Sequence, residues 1–108
     1  MARASGVALA FDAHRVPLFE GVLDLIAQGA VPGGTHDNLA EHAGFTQYAP
    51  AVGEAHRIAL SDAQTSGGLL MAIPPAGAQR VLADLADLGT VAIVGEVLDG
   101  PSGAILIR

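Results

Sequence analysis

The sequence LSDAQTSGGLLMAI, residues 60–73, combines a polar turn with an apolar run. The turn, residues 61–68, is rich in side-chain oxygens and glycine. Backbone N–H groups at such a turn can converge on an anion, because glycine has no side chain to block a close approach. The apolar run, residues 69–73, follows without a break and predicts a strand.

The chain after this run predicts one helix and two further strands. The helix opens at Pro74-Pro75 and ends at Gly89. One face of this helix is apolar and consists of Ala78, Val81, Leu82, Leu85 and Leu88. Residues 90–98 predict a strand in which Gly95 marks a bulge or close packing. Residues 104–107 predict a last strand that pairs with it as a hairpin.

The chain before this run predicts alternating strands and helices. The expected elements are a strand over residues 5–11, a helix from Pro17 to about Gly29, a helix capped by Thr35 and running to about His42, a short strand over 45–48 and a helical turn or two over 54–60. A closing hairpin is antiparallel, whereas a strand–helix–strand crossover favours parallel neighbours. We therefore predict one α/β domain, residues 1–108, with a mixed sheet flanked by helices.

The composition excludes several classes of function. Hydrophobic residues make up 51% of the chain, the formal net charge is −6, and there is no cysteine. The five basic residues are scattered arginines, which argues against nucleic-acid binding. A thiolate nucleophile, a thiolate metal site and a disulfide are all excluded. No apolar run approaches the ~18 residues of a membrane span, and no signal peptide is evident, so we expect a cytoplasmic protein without a membrane partner.

Side chains that could carry chemistry form no convincing pattern. The four histidines include no pair at helical i, i+4 spacing, so no metal site is predicted. Ser66 with Asp62 and His56 lacks the strand-to-helix elbow of a serine nucleophile, so no catalytic residue is predicted. Two Gly-Gly turns remain, at residues 32–35 and 65–68. Each could hold a phosphate or be a simple turn, and the residue types leave both interpretations open.

Residues 62–70, DAQTSGGLL, closely resemble the DPQTSGGLL signature of the selenide, water dikinase (selenophosphate synthetase) family. Ala63 replaces the usual proline, which removes some rigidity but no donor or acceptor. The resemblance covers essentially the whole chain. Its other matching stretches, in order, are residues 4–7, 16–18, 31–35 with Asn38, and 95–97.

The resemblance implies the C-terminal α/β domain of an enzyme related to aminoimidazole ribonucleotide synthetase. That enzyme uses ATP, selenide and magnesium to make selenophosphate, AMP and phosphate. Its reactive and metal-binding residues belong to an N-terminal nucleotide-binding domain, which we expect to be absent here. This chain alone is therefore expected to be inactive and to hold no cofactor or metal, and the N-terminal domain is its expected partner.

The resemblance also gives the signature segment a role. Thr65, Ser66, Gly67 and Gly68 are predicted to line the nucleotide-dependent active site, while Asp62 and Gln64 brace the turn. Two other functions stay open on the residues: a stand-alone module that binds a phosphorylated metabolite, and a structural dimerisation module. A homodimer also stays open within the enzyme interpretation.

Overall fold

A four-stranded mixed sheet organises the molecule. The computed structural model describes residues 1–108. Its elements are α1 Ala2–Ser5, β1 Ala8–Phe11, a 3-10 turn Ala13–Arg15, α2 Val22–Ala27, α3 Gly33–His42, β2 Thr46–Tyr48, α4 Glu54–Leu60, α5 Pro75–Leu85, a second 3-10 turn Ala86–Leu88, β3 Gly95–Leu98 and β4 Ile105–Ile107. The predicted α/β class and mixed sheet are confirmed.

The strand order is β2-β4-β1-β3. Strand β1 pairs antiparallel with β3 and parallel with β4, and β4 also pairs parallel with β2. The predicted hairpin between the last two strands is therefore wrong, because β1 lies between them. The turn that joins β3 to β4 crosses the start of β1, where the Gly103 amide donates to the Val7 carbonyl at 2.9 Å.

Two of the four strands are shorter than predicted by three residues or more. Strand β1 begins at Ala8 rather than at residue 5, since residues 2–5 form a helical turn that ends at Gly6 with φ of 68°. Strand β3 begins at Gly95 rather than at residue 90. A Cβ atom on Gly95 would lie 2.0 Å from the carbonyl oxygen of Ala10, so the predicted close packing is confirmed.

Residues 69–73 do not form the predicted strand. No backbone group in residues 69–73 hydrogen-bonds to another backbone group. Leu69 is 84% exposed, and Leu70, Met71 and Ile73 are also exposed. Apolar character favours a strand only where the run pairs with an open sheet edge, and residues 69–73 pair with neither of the two free edges, those of β2 and β3.

The helix starts also depart from the sequence prediction. Helix α2 begins at Val22 rather than at Pro17, because Gly21 adopts a left-handed φ of 79° immediately before it. Helix α3 begins at Gly33, so Thr35 lies inside its first turn and is not the N-cap. The predicted helix at residues 54–60, the end of α3 at His42 and the start of α5 at Pro75 are confirmed.

The buried residues fall in two parts of the chain. All ten lie within residues 1–61 and 103–108, and none lies between residues 62 and 102. A small cluster of Ala13, Val52 and Ile107 packs beside the sheet. Helix α5 contacts chiefly the 3-10 turn that follows it. None of the helices combines the length and apolar character needed to cross a bilayer.

Candidate functional site

The carboxylate of Asp62 is held on both of its oxygens. Thr35 Oγ1 donates to Asp62 Oδ1 at 2.5 Å, and Gln64 Nε2 donates to Asp62 Oδ2 at 2.6 Å. Thr35 is 1% exposed, so this bond fixes the start of the turn to the interior of the protein. Charge-assisted hydrogen bonds of this kind are stronger than neutral ones. We call residues 62–68 the signature turn.

The residue before the signature turn is anchored just as firmly. Ser61 is 3% exposed, and its hydroxyl donates to the Arg57 carbonyl at 2.9 Å. The Asn38 side-chain amide donates to the Ser61 carbonyl at 3.0 Å. Helices α3 and α4 therefore jointly fix the point from which the signature turn leaves the core.

The tip of the signature turn is open to its surroundings. Thr65, Ser66, Gly67 and Gly68 are all exposed, and neither hydroxyl makes a hydrogen bond within the chain. A Cβ atom on Gly67 would lie 3.2 Å from that of Gln64, whereas one on Gly68 would meet nothing within 4 Å. Neither glycine has a positive φ. The chain itself therefore does not require glycine at residue 68.

The second Gly-Gly turn meets the signature turn through Thr35. Gly33 and Gly34 are the first two residues of α3, and a Cβ atom on either would meet nothing within 4 Å. Their amides have no acceptor in the helix, and no side chain caps them. Asp62 contacts the first turn of α3, where a negative charge is favourable. The structure thus joins two turns that the sequence treats separately.

Sequence reasoning missed Thr35 and Asn38 as supports of the signature turn. The available signal was their spacing of three residues on one helix, which places both side chains on the same face. No hydrogen bond joins Ser66 to Asp62 or His56. His56 instead packs against His14, with ring centroids 4.4 Å apart. No group of three or more His, Asp or Glu side chains is arranged to hold a metal ion.

Known proteins resemble this chain over its whole length. Residues 1–108 match the family described as AIR synthase related protein, C-terminal domain. The chain is 40% identical over 106 residues to a "Selenide, water dikinase" of Nitratidesulfovibrio vulgaris, which covers 97% of this chain and 30% of that protein. The proteins of the same name from Geobacter metallireducens and Escherichia coli K12 are 39% and 35% identical, over 99% and 100% of this chain.

The chain spans about 30% of the length of these curated relatives. The family match, by contrast, extends from the first residue to the last, and the mixed α/β fold is consistent with it. The chain therefore belongs to the AIR synthase related protein, C-terminal domain family.

Proposed function

We propose that this chain is the C-terminal domain of a selenide, water dikinase and that its signature turn helps to enclose the active site. The full enzyme would make selenophosphate from selenide and ATP, with AMP and phosphate as the other products. Support comes from the identity of 35–42% to relatives of that name. The catalytic groups would lie on a separate nucleotide-binding domain, and this chain alone would be inactive.

One observation supports the proposed role of the signature turn in enclosing the active site. Gly33, Gly34 and Gly68 have neither a positive φ nor a neighbouring atom that would clash with a side chain. The space beside these three glycines is therefore open, and a phosphate group from outside the chain could approach their backbone N–H groups closely.

The exposed apolar run would provide the contact with the nucleotide-binding domain. Leu69, Leu70, Met71 and Ile73 directly follow the signature turn and are 84%, 45%, 45% and 41% exposed. Contiguous exposed apolar surface of this kind commonly marks an interaction site. Packing of this run on a partner would bring residues 65–68 to the edge of that partner, and the closed interface would keep water from the phosphoryl-transfer site.

Magnesium and ATP would be bound mainly outside this chain. The residues of the signature turn offer hydroxyls and backbone N–H groups, which suit a phosphate oxygen, but only one carboxylate, and both oxygens of that carboxylate already accept hydrogen bonds. We therefore assign residues 65–68 to positioning and water exclusion. The metal would be held by the nucleotide-binding domain.

The test replaces Thr65 with valine and Ser66 with alanine in a full-length enzyme that carries this domain. Neither hydroxyl is bonded within the chain, so the unfolding temperature of the isolated domain should not change. If the hydroxyls contact the reacting phosphates, kcat/KM for ATP should fall about tenfold or more. Thr90→Val, at another exposed threonine, is the control. An unchanged selenophosphate yield in the double variant would contradict the proposal and would mean that the turn is only structural.

Two measurements on the isolated chain distinguish the other functions. Calorimetry with ATP, AMP and inorganic phosphate addresses a stand-alone phosphometabolite module, which would bind at least one of them tightly. Sedimentation addresses a dimerisation module, which would form a concentration-independent dimer. A dimer that the Leu69→Ser variant abolishes would instead reflect association through the exposed apolar run.

A further inference from the structure

A groove of about 550 Å³ lies between α3, β2 and α4. Six residues line it: Leu39, Ala43, Thr46, Tyr48, Glu54 and Arg57. Helix α3 meets the end of α4 at the Thr35–Asp62 bond. The groove is formed by later residues of α3 and earlier residues of α4, so it is separate from the signature turn.

Arg57 is held rigidly at this groove. Its Nε donates to the Val52 carbonyl at 2.9 Å, and its guanidinium carbon lies 5.1 Å from the centre of the Tyr48 ring. These contacts leave the two terminal nitrogens, Nη1 and Nη2, without a hydrogen-bond acceptor. A guanidinium presents those two nitrogens in the spacing of a carboxylate, which can accept from both at once.

Arg57 also lacks a counter-ion in a chain that has 11 acidic residues. Three other arginines form ion pairs within the chain, namely Arg15, Arg80 and Arg108. Arg57 forms none, although Glu54 lies in the same groove. Arg57 is partly buried. Removal of a cation from water costs free energy, and a bound anion would offset that cost where no ion pair within the chain does so.

We propose that this groove binds a small organic monocarboxylate through Arg57. The carboxylate lies on Nη1 and Nη2, and Leu39 with Ala43 contacts the hydrocarbon part of the ligand. Glu54 makes the groove unfavourable for a doubly charged anion, because its negative charge lies in the same wall. The groove therefore selects singly charged, partly apolar ligands over inorganic phosphate.

The test is an NMR titration of the whole chain with acetate, butyrate and inorganic phosphate, followed at the amides of Ala43, Thr46 and Tyr48. Butyrate should bind about tenfold more tightly than acetate, because two more methylene groups contact the apolar wall. Phosphate should bind more weakly than either. Leu39→Ala should weaken butyrate binding and leave acetate binding unchanged.

Two charge variants and one control assign the binding to Arg57. Arg57→Gln should weaken butyrate about tenfold or more. Glu54→Gln should strengthen it about two- to fivefold, because a repulsive charge is removed. Arg80→Gln, at an exposed arginine paired with Asp84 at 3.6 Å, should have no effect. Unperturbed amide signals from β1 and β4 in Arg57→Gln would show that loss of binding is not loss of fold.

Three results would overturn the proposal. One is the absence of saturable shifts with any of the three anions. The second is tighter binding of phosphate than of butyrate. The third is an equal loss of butyrate binding in the Arg57→Gln and Arg80→Gln variants, which would mean general attraction to positive charge.

Discussion

Residues 8–11 and residues 69–73 are both short apolar runs, yet the protein treats them differently. The first, ALAF, forms β1 and is paired on both edges, and Ala10 is fully buried. The second, LLMAI, has no backbone hydrogen bond and exposes every side chain. Apolar composition creates a demand for burial, but only a neighbouring strand with free N–H and C=O groups makes a run into part of a sheet.

The parts of the chain around these two runs also differ in how many of their residues are buried. Residues 1–61 and 95–108, which we call the framework, contain every buried residue. Residues 62–94, which we call the exposed segment, contain none. The framework contains the sheet and the buried cluster, whereas the exposed segment is suited to contact another surface. Four predictions, in decreasing order of expected effect, test this division.

The largest contrast is between two leucines. Leu9 in β1 is 7% exposed and Leu69 is 84% exposed. Leu9→Ala should lower the free energy of unfolding by about 2–5 kcal/mol, through lost burial and a cavity. Leu69→Ala should change it by less than about 0.5 kcal/mol. Urea unfolding of the two variants measures this, and a similar loss in both would show that the exposed segment packs on the framework.

The second contrast is between two glycines. A Cβ atom on Gly95 would lie 2.0 Å from the Ala10 carbonyl oxygen, and a backbone atom of a paired strand cannot move aside without loss of pairing. Gly95→Ala should therefore cost about 1–3 kcal/mol or more. Gly68→Ala, where no atom lies within 4 Å, is the control and should be nearly neutral. Thermal unfolding compares them, and equal stability would refute the close contact of β1 and β3.

The third prediction concerns the bond that connects the two regions. Thr35→Val keeps the shape of a buried side chain but removes the donor to Asp62 Oδ1. The expected loss is about 1–2 kcal/mol, since the acceptor is charged but partly exposed. Thr90→Val, at an exposed threonine without a hydrogen bond, is the matched control. Hydrogen exchange should also rise at Asp62, and no change there would mean that Thr35 does not anchor the turn.

The smallest expected effect is a pH dependence at the end of β1. Arg108 Nε donates to Asp12 Oδ1 at 2.8 Å, and its Nη2 donates to Glu96 Oε1 at 2.6 Å. The hydrogen bond from Arg108 lowers the pKa of Asp12 below its usual range, against the opposing effect of burial. Folding therefore favours the carboxylate form of Asp12. The stabilisation that this carboxylate gives to the folded state is fully present above the usual pKa, and it is lost as the pH falls through the lowered pKa.

Arg108→Gln should therefore flatten the decline of stability as the pH falls from neutral through and below the usual pKa of an aspartate. The effect should be small and should shrink in high salt, because these groups are near the surface. Arg80→Gln, whose ion pair with Asp84 lies in the exposed segment, is the control and should leave the pH profile unchanged. Identical acid profiles for wild type and Arg108→Gln would contradict the assignment.

Sequence patterns predicted several local elements well. The helix over residues 54–60, the start of α5 at Pro75 and the strand near residues 46–48 all follow from capping residues and apolar spacing. The signature turn was recognisable because its residue types stand next to one another. Its supports were not, because Thr35 and Asn38 lie 27 and 23 residues from their partners.

The sequence alone established the α/β class, the family resemblance of residues 62–70 and the absence of thiolate chemistry, because each depends on residue identity or short-range spacing. Only the tertiary structure decided four further features: the strand order, the lack of pairing of residues 69–73, the contact between the two Gly-Gly turns and the unpaired state of Arg57. Each depends on which hydrogen-bonding groups or charges meet across long separations in the sequence.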